Sequence, residues 1–489
     1  MFTLAACRGY SGGCARSRLR LRPLITTARF ASVVDPPLPK PADEARAPEA
    51  SDAPWRLEGQ FFDRDYKPYT GLKFVEEPLG LWWGGGAGWP RIAVDDCISS
   101  RDSGIAYCVF RKLGWGLHSS VWLAGNTEGT YVALKVLTGF ATKMNEYERY
   151  WEAATMRALK CTSSPYSTHV LELRDEILLR GKEESDGEHL CLVTDLHGGT
   201  VEDLRSLPPS KPENAADDDP RPLPIDLSKR ILLHVLRGIA HTHRSGFVHT
   251  DVQPSNVLFS LRQGFKVGEV TEWMASDPPR HNPPEVSDGC TVQSVVSHPV
   301  PLPSSLNHVM NRAFVLADFG FAQPISKEKR ILEISTPAHL RPPEVILGGS
   351  WDEKVDIWLV GCMAHELLTG EPLFRHEAMS EPAAIADPDE AMLYQMMSFT
   401  GEDISPEQLN VSKNASMWFE ETSLALGEHR ATPPPHPIGF KRYLRQSGLI
   451  AADQIHSTAM FLHRCLCLNP DDRPSAEDLL RDPWFEGVE

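Results

Sequence analysis

Acidic residues are missing from the start of this chain. No Asp or Glu precedes Asp35, whereas Arg8, Arg16, Arg18, Arg20, Arg22 and Arg29 are scattered among Ser, Thr and apolar residues. A basic, hydroxyl-rich, acid-free stretch has the composition of a mitochondrial transit peptide. Arg29-Phe30-Ala31-Ser32 also offers an arginine two residues before a matrix-protease-type cut. A structureless basic tail has the same composition, so residues 1–34 predict either the mitochondrial matrix or, as a mere tail, the cytoplasm or nucleus. A CxxC pair is missing too. The ten cysteines are dispersed, and Cys465-Leu466-Cys467 is too closely spaced for ordinary zinc ligands. Reduced, buried thiols are the expectation. No apolar run reaches the ~18 residues that would suggest a membrane span. The nearest candidate, residues 357–369, is interrupted by His365 and Glu366 and predicts a buried helix. Nor is there excess positive charge. With 49 Lys and Arg against 66 Asp and Glu, the net charge of −17 excludes generalised nucleic-acid binding. It suits a basic protein partner, or serves solubility alone.

The rest of the chain divides by composition. Residues 35–54 are rich in Pro, Ala and Glu and predict a disordered linker. Residues 55–89 carry aromatics and Gly84-Gly85-Gly86 and predict an extension packed on the first lobe. Alternation over 107–136 predicts antiparallel strands, residues 147–159 a helix, and 190–196 another strand. Helical periodicity dominates from Leu227 onward, beginning with an amphipathic helix over 227–243. Two polar, Pro-rich insertions, 205–226 and 261–312, interrupt the pattern. The second contains Pro283-Pro284, Pro299 and Pro301-Leu302-Pro303, and a loop of that length is functional or disordered.

Chemistry concentrates in His249-Thr250-Asp251-Val252-Gln253-Pro254-Ser255-Asn256 and the later Asp318-Phe319-Gly320. An Asp five residues ahead of an Asn, followed by Asp-Phe-Gly, is the layout of a phosphoryl-transfer site. Asp251 can accept the proton of an attacking hydroxyl, while Asn256 and Asp318 can hold Mg²⁺ against nucleotide phosphates. Upstream, Leu113-Gly114-Trp115-Gly116-Leu117-His118-Ser119-Ser120-Val121 predicts a phosphate-covering hairpin, with Ser119 where a third glycine is usual. Lys135, in Val132-Ala133-Leu134-Lys135, would pair with the α- and β-phosphates. Glu152 is the carboxylate expected to hold it, with Glu148 one turn earlier as the alternative.

Together these motifs resemble those of the eukaryotic protein kinases over residues 90–485. Lys112-Leu113-Gly114-Trp115-Gly116, Ser119-Ser120-Val121-Trp122-Leu123-Ala124, Ala133-Leu134-Lys135-Val136 and Thr250 resemble the SR-protein kinases, and the Pro-rich insertion resembles their fungal members. The resemblance implies an α+β, two-lobed fold spanning 90–486, with lobes near 90–197 and 198–486. It also implies ATP with Mg²⁺, serine as the main acceptor, and docking of Arg/Ser-rich protein substrates. Arg341-Pro342-Pro343-Glu344 resembles the end of an activation segment, whose Glu would pair with Arg473, and Asp356 would brace the catalytic loop. Two departures stand out. Gln253 replaces the lysine that contacts the transferring phosphate, which keeps a pseudokinase or scaffold as the alternative. The stretch Thr336-Pro337-Ala338-His339-Leu340-Arg341 lacks the usual Tyr and is one residue longer. A small-molecule kinase on a related fold is disfavoured by the Arg-Pro-Pro-Glu and Asp472-Arg473-Pro474 elements.

Overall fold

The computed structural model describes residues 61–69, 76–207, 221–261, 267–288, 290–326, 330, 334, 336–380, 385–419 and 438–489. The transit-like segment, the linker 35–54, residues 55–60 and the centre of the first insertion lie outside them.

The smaller lobe is an antiparallel sheet ordered β1-β2-β3-β4-β6-β5. Its strands are β1 (Cys97–Ser99), β2 (Ala106–Gly116), β3 (Ser119–Asn126), β4 (Tyr131–Leu137), β5 (Leu173–Arg180) and β6 (Glu188–Asp195). The period of two decides what faces the site. Val132, Leu134 and Val136 pack with Val109, Trp122 and Val193 on one face, which leaves Ala133 and Lys135 on the other. Cys97 and Cys108 stand opposite each other in the β1–β2 register and form a disulfide. This corrects the expectation that all thiols are reduced. Only the strand register brings the two together, and spacing alone carries no sign of it. Cys191, Cys362 and Cys465 are buried free thiols.

Of the helix expected over 147–159 only the part from Glu152 onward is helical: α1 (Gly139–Glu146) ends before that span and α2 (Glu152–Cys161) begins within it. Thr138 caps the first by accepting from Ala141 N. Between them Glu148 takes a φ of +51°, a left-handed conformation that breaks the helical run. Glu148 is therefore not on a helix face beside Glu152, which removes it as the alternative partner of Lys135.

The larger lobe is built around α3 (Ile225–Arg244) and α4 (Lys354–Thr369), with α5 (Pro388–Thr400) and α6 (Ile455–Cys465). The buried helix expected over 357–369 lies in α4, where even His365 is fully enclosed. The short strands β7 (Val257–Phe259) and β8 (Phe314–Leu316) pair antiparallel and carry the catalytic loop and the Asp-Phe-Gly turn at their ends.

The second insertion is not a bare loop. It contains a helix (Val267–Ser276) and a hairpin (Glu285–Ser287 with Cys290–Val292). Its exit, at Leu306 and Val309, packs in the core of the larger lobe. Its middle joins the smaller lobe: Val295 enters the sheet core, and Val292 packs with Phe61, Leu79, Leu81 and Trp89 of the N-terminal extension. Burying one such valine contributes about 1.5–3 kcal/mol. Lys112 fastens these pieces together. Its fully buried ammonium pairs with Glu76 at 2.6 Å and with Glu77, while Glu76 also accepts from Ser297 N and Oγ.

Candidate active site

The site lies where β4, α2 and the two loops of the larger lobe converge. Lys135 Nζ reaches Glu152 Oε1 at 2.5 Å and Asp318 Oδ1 at 2.8 Å. Burial disfavours the charge on Lys135, but the carboxylates of Asp318 and Glu152 outweigh it and raise the pKa of the ammonium. Burial raises the Glu152 carboxyl despite Lys135. Asp318 goes the other way: burial is overcome by Lys135, and its pKa is lowered. Asp318 has a φ of +59° and accepts from Gly320 N, so the turn itself aims the carboxylate.

Asp251 is clamped. Gln253 Nε2 donates to Asp251 Oδ1 at 2.7 Å, and Asn256 Nδ2 donates to Oδ2 at 2.7 Å and to the Asp251 carbonyl at 2.8 Å. Burial nevertheless raises its pKa, against the pull of His249 and the Gln253 hydrogen bond. Beneath the loop, fully buried Asp356 accepts from His249 N at 2.9 Å and Thr250 N at 2.8 Å. Thr250, at φ +66°, accepts from Thr336 Oγ1 through its carbonyl at 2.6 Å. Thr336 thus lies buried against the catalytic loop. Arg473 forks onto both oxygens of Glu344 at 2.8 Å in a fully buried pair.

One cavity of about 410 Å³ is lined by Leu113, Gly114, Trp115, Gly116, Ser119, Val121, Ala133, Lys135, Glu152, Asn256 and Asp318. Asp251 and Gln253 are outside this lining, beyond Asn256. A Cβ at Gly114 or Gly116 would meet no protein atom within 4 Å, so these glycines leave room for a ligand and not for packing. The oxygen donors of Asp318 and Asn256 suit Mg²⁺, and Asn256 spends its amide nitrogen on Asp251, which leaves its carbonyl oxygen as the donor. When bound, the ion would neutralise charge on the nucleotide phosphates.

Sequence reasoning missed several contributors. Pro299 and Val300 of the insertion line the same cavity. Trp89 Nε1 donates to Gly116 O at 3.2 Å, so the extension fixes the glycine hairpin. His118 at the hairpin tip lies against Tyr150 and Phe140. Burial and then Lys135 lower its pKa to about 4, so it stays neutral. None of these carries a local signal, because each depends on a segment distant in sequence.

The family model "Protein kinase domain" matches residues 107–270 and 306–485, well over half of the chain. The chain belongs to the protein kinase family. The stretch left unmatched between the two segments, 271–305, falls within the insertion that packs on the smaller lobe of this kinase. Among curated relatives, "Serine/threonine-protein kinase SRPK" of Physarum polycephalum is 26% identical over 402 residues, covering 78% of this chain and 86% of the relative. "Dual specificity protein kinase lkh1" of Schizosaccharomyces pombe is 27% identical over 384 residues, covering 78% of this chain but 46% of the relative. A solved kinase-domain crystal structure matches at a TM-score of 0.51 with 20% identity, covering 78% of this chain and 95% of that one. That likeness speaks for the two-lobed fold alone.

Proposed function

We propose that this kinase transfers the γ-phosphate of ATP to serine or threonine of protein substrates, with basic Arg/Ser-rich proteins as the preferred class. The observation that carries the reading is the Lys135–Glu152–Asp318 ion cluster standing beside an Asp251 clamped by Gln253 and Asn256. Lys135, held by Glu152, pairs with the α- and β-phosphates as a fixed charge. Asp251 accepts the proton of the substrate hydroxyl while the hydroxyl oxygen bonds to the γ-phosphorus and ADP leaves with the bridging oxygen. The raised pKa of Asp251 suits a base that must accept that proton. Gln253 supplies no cation to the transferring group. It donates to Asp251 and keeps the carboxylate oriented, which supports a catalytic part for this position.

The substrate class rests on the acidic chain, at −17, and on the SR-protein-kinase-like residues around Lys112 and Trp122. A phosphotransfer assay on full-length protein with Mg²⁺-ATP and a panel of Arg-Ser, Lys-Ser and neutral Ser peptides tests both levels. The reading expects Arg-Ser peptides to give the highest kcat/KM. Equal rates across the panel would remove the substrate class. Nucleotide binding without transfer to any peptide would favour the scaffold.

A further inference from the structure

Away from the nucleotide cleft, Glu402, His463 and Cys467 place a carboxylate oxygen, an imidazole nitrogen and a thiol sulfur within 4.8 Å of one another. We propose that they form a zinc site in the larger lobe, with water as the fourth ligand.

The arrangement follows from two elements. His463 is in the last turn of α6, and Cys467 lies two residues past the end of that helix, where the chain folds back over the turn. Cys467 Sγ donates to His463 O at 3.2 Å, which keeps the sulfur over that turn. Glu402 arrives from the loop after α5, next to Gly401, the left-handed cap of that helix. Leu468 N donates to Glu402 Oε2 at 2.8 Å, and Oε1 lies 3.5 Å from His463 Nδ1. A backbone donor thus orients one oxygen and leaves the other aimed at the imidazole, as supporting contacts do around metal ligands.

The dimensions fit. A tetrahedral ion with bonds of about 2.0–2.3 Å separates its ligand atoms by roughly 3.3–3.8 Å. The Glu402–His463 gap already has that size, and the half-exposed His463 and partly buried Cys467 close the remainder by side-chain rotation. The donors also select the ion. One thiolate, one imidazole and one carboxylate suit Zn²⁺, whereas Mg²⁺ and Ca²⁺ want oxygen throughout. On binding, the thiol gives its proton to solvent as the sulfur–metal bond forms. The two negative ligands then balance the divalent charge.

The location gives the ion a structural role. The turn that carries Cys467 and Leu468 also seats Arg473, whose Nε donates to Cys467 O at 2.8 Å and whose other nitrogens hold Glu344. Zinc would tie the loop after α5 to the seat of the pair that anchors the activation segment.

The test uses full-length protein freed of metal with a chelator and titrated with Co²⁺, followed by Zn²⁺. A thiolate-to-cobalt charge-transfer band that saturates at one equivalent, is abolished by Zn²⁺ and is accompanied by a Zn²⁺-dependent rise in Tm is the expected result. Cys467→Ser and His463→Gln should lose both signals, and Cys161→Ser, at an exposed thiol, should keep them. The wild-type spectrum alone can overturn the proposal, since no thiolate band means no site. A band or a Tm rise that persists in Cys467→Ser overturns it as well.

Discussion

At the scale of single residues, the catalytic loop is set by two amides acting on one carboxylate. Gln253 and Asn256 each donate to an oxygen of Asp251, and a donor to the ionised form lowers a pKa. Burial raises it. Protonating Asp251 removes the base, so kcat falls on the acid side, at a pH above the ordinary carboxylate range of about 4. Gln253→Leu deletes one donor and should move that acid limb to higher pH while lowering kcat. A pH–kcat profile checks this, and a limb that stays in place would mean that Gln253 does not hold the base. The residues at this scale were the most legible in the sequence. Lys135, Asp251, Asn256 and Asp318 sit at fixed spacings within short motifs, and the structure brings the four together. Glu152 was legible only as one of two carboxylates, because periodicity could not foresee the left-handed break at Glu148.

At the scale of elements, Lys112 is the least foreseeable contributor. It read as the first letter of the glycine-hairpin motif, yet its fully buried ammonium joins the extension, through Glu76 and Glu77, to the insertion, through Ser297. Sequence alone could not supply this, since Glu76 lies 36 residues before Lys112 and Ser297 lies 221 residues beyond Glu76. Lys112→Met leaves two buried carboxylates without a cation and should cost about 3–5 kcal/mol. Chemical denaturation would show it as a lowered midpoint, whereas Lys143→Met, which breaks an exposed pair with Glu146, should leave the midpoint in place. Equal midpoints for the two variants would contradict this account. The insertion was likewise opaque. Its prolines suggested loop, yet its hairpin packs Val292 against the N-terminal extension and its helix sets Trp273 against Arg111 of β2.

At the scale of the molecule, the two-lobed architecture was legible through the resemblance to the protein kinases, and the segregation of period-two and period-3.6 patterning along the chain agrees with it. The tether between the lobes was not. Overall charge adds a testable consequence. If acidic residues attract an arginine-rich substrate, kcat/KM for an Arg-Ser peptide should fall as salt rises, through KM more than kcat, since screening shortens from about 10 Å at 0.1 M to 3 Å at 1 M. Arg should outperform Lys, because its planar fork pairs carboxylates two bonds at a time. A salt-independent KM would contradict charge-guided docking. Residues 1–34, outside the described structure, call for a separate test: fused to a reporter, they should direct import into mitochondria if the transit-peptide composition is functional. The central claim remains the assignment of Asp251 as the base in an intact phosphoryl-transfer site, and single-turnover phosphotransfer with bound Mg²⁺-ATP tests it most directly. Asp251→Asn should bind nucleotide as the wild type does and transfer phosphate about 10²–10⁴-fold more slowly; transfer at the wild-type rate would contradict the account.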